Sequence, residues 1–263
     1  MQILNPEFSP DKFYMQLKAS VKSILMLDYD GTLSPFTPDR DNAEPYDGVK
    51  DRLSRLMGFS KTEVIIISGR DIDTLKKLLG LQNPPQIWGC HGAERYIPNL
   101  GYKIMVGQKV RDGLLEIKKW SKENALIQYA EFKPSGVAFH WRGKTENELS
   151  KIRNTVQNRW SPKVSQYNLT IKDFDGGIEI RAKDFDKGIA VKNIMKVNSP
   201  DFAIAYMGDD ITDEDAFRAI GKNGLKVLVR EQRRDTLADI QINPPDELLE
   251  FLDKWIELTS SNN

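Results

Sequence analysis

The chain has 263 residues, 40% apolar and 29% charged, with 38 basic against 38 acidic side chains; it can bury a sizeable core and lies near the length at which one core divides into two domains. The balanced charge lacks the basic excess that nucleic-acid partners require, and no apolar run approaches the ~20 residues of a membrane span, so neither partner is expected. The single cysteine, Cys90, excludes a disulfide framework, and the N-terminus shows no apolar signal-peptide region, so a cytoplasmic protein is expected.

In chain order, a short helix is expected over 11–21, followed by apolar runs that alternate with helical patterns: ILML (24–27), VKDRLSRLMGF (49–59), VIIIS (64–68), DIDTLKKLLG (71–80) and QIWGC (86–90). Strands apolar on both sides, with helices between them, indicate a parallel sheet covered on both faces. The same rhythm returns late, in a helix at 187–197, a strand AIAYMG (203–208), a helix at 213–221, a strand LKVLVR (225–230) and a final amphipathic helix at 246–258. Between the two halves the pattern changes. A long helix at 107–123 precedes strands at 127–132 and 136–143, a helix at 146–160, and strands at 169–174 and 176–182. Turns at 133–135 and 175–177 supply hairpin geometry. The fold class read from this is α/β, a doubly wound parallel-sheet, Rossmann-like core formed by 1–106 and 185–263, with an α+β domain inserted at 107–184. No repeat occurs, and the polar tail 259–263 is expected to fray. The oligomeric state is not readable; a monomer is compatible with the pattern.

In open α/β sheets, ligands sit beyond the carboxyl ends of the strands. Four polar clusters fall there: Asp28 and Asp30, then Ser68-Gly69-Arg70, then His91-Gly92-Ala93-Glu94, then Asp209-Asp210 with Asp213. Gathered at one edge, such carboxylates repel and raise one another's pKa, so a cation is expected. Aspartate oxygens suit a hard divalent ion, and Mg2+ takes one or two carboxylates while keeping waters and a substrate phosphate. Asp28 could bind the ion and attack phosphorus, while Asp30, two residues on, serves as general acid and then activates water. Ser68, backbone N–H groups near Gly31 and Gly69, and Lys187 are candidates for a phosphate cradle. Lys187 also reads as a solvated lysine in the first turn of a helix capped by Asp186. Cys90, at the end of an apolar run, reads as a buried thiol.

With these motifs in order, the chain resembles the haloacid-dehalogenase-like phosphatases: LDYDGTL (27–33) is similar to their first motif, VIIISGR (64–70) to the second, Asp186-Lys187-Gly188 to the third and YMGDDITDEDAF (206–217) to the fourth. GCHGAE, VAFHWR, IEIRAKDFDKG and GDDITDEDAF narrow the resemblance to the trehalose-6-phosphate phosphatases. That resemblance implies Mg2+-dependent hydrolysis of a sugar phosphate, a small-molecule substrate, through an aspartyl-phosphate on Asp28. Asp30 is then the acid/base, and Ser68 and Lys187 hold the phosphate. Asp28, Asp209 and the carbonyl of Asp30 ligate Mg2+, supported by Asp210 and Asp213. The insert becomes a mobile cap that reads the sugar. Glu131, Lys133, His140, Arg142, Glu179 and Arg181 are its candidate contacts, since hydroxyl-rich ligands are met by carboxylates and planar cations. Period 2 places His140 with Arg142, and Glu179 with Arg181, on one face of their strands. Gly69, Arg70, His91 and Glu94 are expected on the core side of the same substrate. Glucosyl- and mannosyl-3-phosphoglycerate are the alternative substrates, because the cap carries further basic residues, Lys144 and Lys183 among them. A sugar-phosphate sensor without turnover and a phosphotransferase are the alternative activities.

Overall fold

In the computed structural model, which describes residues 1–37, 39–174, 176–198 and 201–260, the apolar run at 23–27 divides its side chains between two cores. Leu25 and Leu27 pack on one face of the sheet and Ile24 and Met26 on the other. This is the period of two that an extended chain imposes, with both faces covered.

The elements run in order β1 (Gln2–Ile3), α1 (Pro10–Ala19), β2 (Ser23–Leu27), α2 (Val49–Phe59), β3 (Thr62–Ile67), α3 (Ile72–Leu79), β4 (Gln86–Gly89), β5 (Glu94–Ile97) and β6 (Gly101–Ile104). Then come α4 (Gln108–Glu123), β7 (Ala130–Lys133), β8 (Gly136–His140), α5 (Glu146–Trp160), β9 (Leu169–Phe174) and β10 (Gly177–Ala182). The chain closes with α6 (Lys187–Lys196), β11 (Ala203–Gly208), α7 (Asp213–Ile220), β12 (Leu225–Val229), β13 (Ile240–Ile242) and α8 (Asp246–Thr259). Two compact units result, one formed by 1–102 and 186–263, the other by 103–185. No helix among the described residues is long and apolar enough to cross a membrane.

The larger unit is built on a sheet ordered β1-β13-β12-β11-β2-β3-β4-β5-β6. Pairing is parallel from β13 through β4, and antiparallel where β1 meets β13 and where β4 meets β5. Leu17 of α1, Leu53 of α2, Leu75 of α3 and Trp255 of α8 belong to one core. Val191 of α6 and Phe217 of α7 belong to the other. From β2 the chain moves outward through β3 to β4, and after the insert it returns on the opposite side of β2 through β11 to β13. Strand order therefore reverses between β2 and β11, the place where this architecture leaves a crevice for ligands.

The smaller unit has four antiparallel strands, ordered β7-β8-β10-β9. Its apolar face carries the buried Val137, Phe139, Ile178 and Ile180. Trp120 of α4 meets the ring of Phe139 edge-on at 6.2 Å and that of Trp160 of α5 at 5.8 Å. α5 starts at a capping box in which Glu148 N donates to Thr145 and Glu148 reaches back to Thr145 N, the arrangement that satisfies two orphan donors at once.

Several expected boundaries shift. The strand expected at 127–132 opens instead with a 3-10 turn at Ile127–Tyr129, and β7 begins at Ala130. The strand expected at 136–143 stops at His140, because a turn closed by Lys144 N donating to Trp141 O follows, with Gly143 at φ 75°. The turn expected at 175–177 begins at Asp175, outside the described residues, as do 261–263 of the expected tail; Thr259 itself is helical. β1, β5, β6 and β13 had no expectation, being two to four residues long and too short to show a period.

Candidate active site

β2 hands the chain directly to the first acid. Asp28 N donates to Met207 O of β11 at 2.9 Å, so sheet pairing continues to the residue itself, and Asp28 is buried. Tyr29 turns the other way, into the core, where its hydroxyl donates to Ala43 O at 2.7 Å. Gly31 closes the turn with φ 77° and donates its N–H to Ser34 O at 2.8 Å. Only glycine fits there, since a Cβ would stand 2.1 Å from Asp209 Oδ2. Of the backbone N–H groups expected near Gly31 as phosphate donors, that of Gly31 itself is used by the turn.

Lys187 is the first residue of α6, whose N-cap Asp186 accepts from Ile189 N at 2.7 Å. It is buried, and Nζ stands 2.8 Å from Asp28 Oδ1 and 2.7 Å from Asp213 Oδ1. That excludes the solvated alternative. Asp213, fully buried at the start of α7, also accepts from the Tyr206 hydroxyl at 2.5 Å, and its Oδ2 accepts from the N–H groups of Asp209 and Asp210 at 3.1 and 2.9 Å. Tyr206 was missed in the sequence because a tyrosine inside an apolar strand reads as core.

Ligand atoms of Asp28, Asp209 and Asp213 lie within 4.8 Å of one another. Three carboxylates facing one ammonium leave two negative charges uncompensated, the charge of one divalent ion. Burial pushes the Asp28 carboxyl well above its usual range; Lys187 pulls it back while Asp213 and Asp209 push it further up. Burial and then Asp213 raise Asp209 to about 7. For Lys187, burial acts downward, but Asp213 and Asp28 outweigh it and hold the ammonium above its ordinary value.

The donor set fits a hard cation. Asp209 Oδ1 is buried with no hydrogen-bond partner among the described residues, a cost a protein normally avoids unless something else satisfies the oxygen. Asp213 has both oxygens engaged by protein donors, so Asp28 and Asp209 are the side chains that could hold the ion, and Asp213 buttresses them. Neither the Asp30 nor the Asp210 carboxylate belongs to the cluster. Asp210 is exposed, and its contribution is the N–H given to Asp213.

Asp30 is occupied differently. Arg70 Nε donates to its Oδ2 at 2.7 Å and Nη2 to its Oδ1 at 2.6 Å, a two-pronged pair from a buried guanidinium. Arg70, expected to meet substrate, turns its fork to Asp30 in this structure. Ser68 at the tip of β3 is buried, accepts from Arg70 N at 3.2 Å and, through its carbonyl, from His91 N at 2.9 Å. His91 lies across Gly69, where a Cβ would come within 2.8 Å of its Nε2. Glu94 is corrected. It is 1% exposed, with Oε2 accepting from Ile72 N at 3.2 Å and Oε1 facing Cys90 Sγ at 3.5 Å. It secures the start of α3 and presents no free oxygen to a sugar; burial raises its pKa.

In the smaller unit the polar face of the sheet carries five of the six expected side chains, four of them joined in ion pairs. Glu131 and Glu179 both lie opposite Ala138, and Lys133 and Arg181 both lie opposite Gly136, so charged pairs flank small residues on β8. Lys133 Nζ stands 3.6 Å from Glu131 Oε1 and 3.5 Å from Glu179 Oε1, and His140 Nε2 is 2.8 Å from Glu131 Oε2. Arg181 lies on the same face without joining these pairs. Arg142 does not share the strand face of His140, since β8 has ended; its stem lies over Gly176. A cavity of about 610 Å3 is lined by Gln128, Tyr129, Ala130, Glu131, His140, Arg142 and Lys144.

A model of the trehalose-phosphatase family matches residues 26–243. A trehalose-phosphate phosphatase of Mycobacterium ulcerans is 31% identical over 250 residues, covering 86% of this chain and 60% of that protein. A bifunctional trehalose-6-phosphate synthase/phosphatase of Thermoproteus tenax is 30% identical over 225 residues, covering 85% of this chain and 30% of that one. This chain thus spans 60% or less of the length of these two relatives. Among solved structures, the C-terminal domain of Candida albicans trehalose-6-phosphate phosphatase superposes with a TM-score of 0.71 at 22% identity, covering 98% of this chain and all of that domain. At that identity the likeness is one of fold, the haloacid-dehalogenase-like α/β arrangement. With 26–243 of its 263 residues matched by the family model, the chain belongs to the trehalose-phosphatase family.

Proposed function

We propose that the chain hydrolyses trehalose 6-phosphate to trehalose and phosphate, with Mg2+ held by Asp28 and Asp209. The observation that carries this reading is the buried set Asp28, Lys187 and Asp213, with ion-pair distances of 2.8 and 2.7 Å, beside the unpartnered oxygen of Asp209. When bound, the ion neutralises charge on the phosphoryl oxygens.

Asp28 attacks phosphorus, the bond to the sugar oxygen breaks, and the phosphoryl group passes to the carboxylate. Asp30 gives a proton to the leaving oxygen, then takes one from the water that cleaves the acyl phosphate, so each carboxylate ends as it began. Lys187 fixes the orientation of Asp28 and offsets its charge in a buried site where such interactions are strong. Arg70 holds Asp30 by both oxygens, which fixes the direction in which its proton moves. Ser68 Oγ contributes a hydroxyl to the phosphate. Glu131, Lys133, His140 and Glu179 recognise the sugar, exchanging their mutual contacts for its hydroxyls, and the unit 103–185 acts as the specificity domain.

Phosphate release from a panel of esters tests the reading: trehalose 6-phosphate, glucose 6-phosphate, glucosyl-3-phosphoglycerate and mannosyl-3-phosphoglycerate, each with Mg2+ and with chelator. Trehalose 6-phosphate should give the highest kcat/KM, and chelator should abolish turnover. Another ester ranking first retires the substrate, and turnover indifferent to chelator retires the mechanism.

A further inference from the structure

The turn Asp209–Asp210 leaves β11 with its backbone polar groups divided between two partners. Its two N–H groups donate to Asp213 Oδ2 at 3.1 and 2.9 Å. Its two carbonyl oxygens meet one guanidinium: Arg234 Nε donates to Asp209 O at 3.3 Å, and Arg234 Nη2 donates to Asp210 O at 2.8 Å. Arg230 Nη1 adds a 3.4 Å contact to Asp209 O. The rest of the Arg234 fork is engaged as well, with Nη1 donating to Asp235 O at 2.9 Å and pairing with Glu214 in the first turn of α7. Glu214 in turn accepts from the Thr236 hydroxyl at 2.7 Å and from Leu237 N at 2.9 Å, which closes the loop 234–237 onto the start of α7.

An ion pair with Glu214 needs only one prong of the fork, and such a pair near the surface contributes about 0–1 kcal/mol. Turn carbonyls at a surface can be satisfied by water. Neither requirement explains a guanidinium, 15% exposed, that reaches two successive carbonyls of the turn carrying Asp209. Orientation explains it. The Asp209–Asp210 peptide plane is held at both edges, its N–H by Asp213 and its C=O by Arg234, while the Asp209 N–H and the Asp210 C=O tether the planes on either side, so the Asp209 carboxylate stays directed into the acidic cluster although its Oδ1 has no hydrogen-bond partner among the described residues.

We infer that Arg234 is a positioning residue for the metal centre, holding the Asp209–Asp210 turn so that Asp209 ligates a divalent ion without reorganising. This rests on the reading that Asp209 helps to carry Mg2+. The requirement is for the planar fork, since a lysine keeps the charge but cannot span both carbonyls.

The test is Mg2+ titration of the substrate-free 263-residue chain by calorimetry, with folding checked by circular dichroism, for wild type, Arg234→Ala, Arg234→Lys and Arg218→Ala. Arg218 serves as the control because it pairs with Asp215 on the exposed side of α7. Loss of a group that orients a ligand typically weakens metal affinity about 10–100-fold. Arg234→Ala should show a loss in that range and Arg234→Lys most of it, whereas Arg218→Ala should match wild type. Should Arg234→Ala fail to fold, Arg234→Lys alone decides. An Arg234→Lys protein with wild-type Mg2+ affinity overturns the inference, as does an unchanged affinity in Arg234→Ala. A wild-type protein that binds no Mg2+ removes the metal reading and this inference with it, a result distinct from equal binding by all variants.

Discussion

The cluster beyond β2 and the polar face of the smaller sheet are built from the same materials, carboxylates around one lysine, and treat them in opposite ways. Lys187, Asp28 and Asp213 have side chains at most 5% exposed, with ion pairs of 2.8 and 2.7 Å. On the smaller sheet, Glu131 and His140 are 45% and 40% exposed, and Lys133 stands 3.5–3.6 Å from its two carboxylates. Burial binds the first set into one unit: each charge is held by the others, and the loss of one strands the rest in a low-dielectric site. In the second set Glu131 and His140 are open to water, so a ligand's hydroxyls can reach them, while Lys133 and Glu179 are 14% and 17% exposed. The contrast separates fixed geometry, suited to chemistry common to phosphate esters, from an exchangeable surface suited to discrimination.

The largest effects should come from the buried set. Asp28→Asn keeps the shape of the side chain and removes the proposed nucleophile, so kcat should fall by about 10⁴ or more, measured as phosphate release, with the circular dichroism spectrum unchanged. Turnover above about 1% of wild type breaks the assignment of chemistry to this cluster. Next comes Asp213→Ala, which strips Lys187 and Tyr206 of a shared acceptor and leaves two turn N–H groups unpaired. Removal of one partner from a buried ion pair costs about 3–5 kcal/mol, read by denaturant unfolding of the metal-free protein. A loss below about 1 kcal/mol, the range of a surface pair, means that the set is not a unit.

Chain pattern and side-chain reach account for what the sequence shows of this contrast. The four strand tips are legible because Asp28, Ser68, His91 and Asp209 each follow an apolar run, and the reversal of strand order at β2 brings such tips together. The destination of a long side chain is not legible. Lys187 taken alone reads more readily as a solvated lysine until Asp28 and Asp213 are found 2.8 and 2.7 Å away, and nothing in SGR states that Arg70 returns to Asp30 with both prongs. Glu94 misleads because it opens β5, a strand too short to have a period, whose pairing with β4 turns the carboxylate inward. Arg142 misleads because period 2 holds only while the strand lasts, and β8 stops at His140, before the turn Trp141–Lys144. Arg234 sits in the polar tract REQRRD, where a run of charge reads as a solvated face.

The exchangeable set sharpens the comparison at smaller amplitude. Glu131→Ala and Lys133→Ala each remove hydrogen bonds from an exposed face, worth about 1–3 kcal/mol to a ligand that uses them. KM for trehalose 6-phosphate should rise roughly 5- to 100-fold, while turnover of p-nitrophenyl phosphate, which lacks the sugar, and thermal stability stay as in wild type. Equal losses on both substrates would place these residues in the chemistry and dissolve the distinction between the two sets.

A pH-dependent effect concerns Asp209 in metal-free protein. Burial and the neighbouring Asp213 raise its pKa to about 7, against about 3.9 in an unfolded chain. Between those values the folded chain retains a proton that the unfolded chain has released, so the contribution to stability is present at low pH and is lost as pH rises from about 4 through about 7. Asp28, pushed upward by its own burial, acts in the same direction. The Tm of metal-free wild type should therefore fall between about pH 5 and about pH 8. Asp209→Asn, which carries no charge at either end, should flatten that fall and gain ~2–4 °C at the upper end for each kcal/mol recovered. Mg2+ added at about pH 8 should raise the wild-type Tm by ligand linkage and leave Asp209→Asn nearly unmoved. If the metal-free Tm instead rises with pH and the asparagine variant tracks wild type, the acids of the cluster are not held in mutual repulsion, and burial alone does not distinguish them from the carboxylates of the exposed sheet.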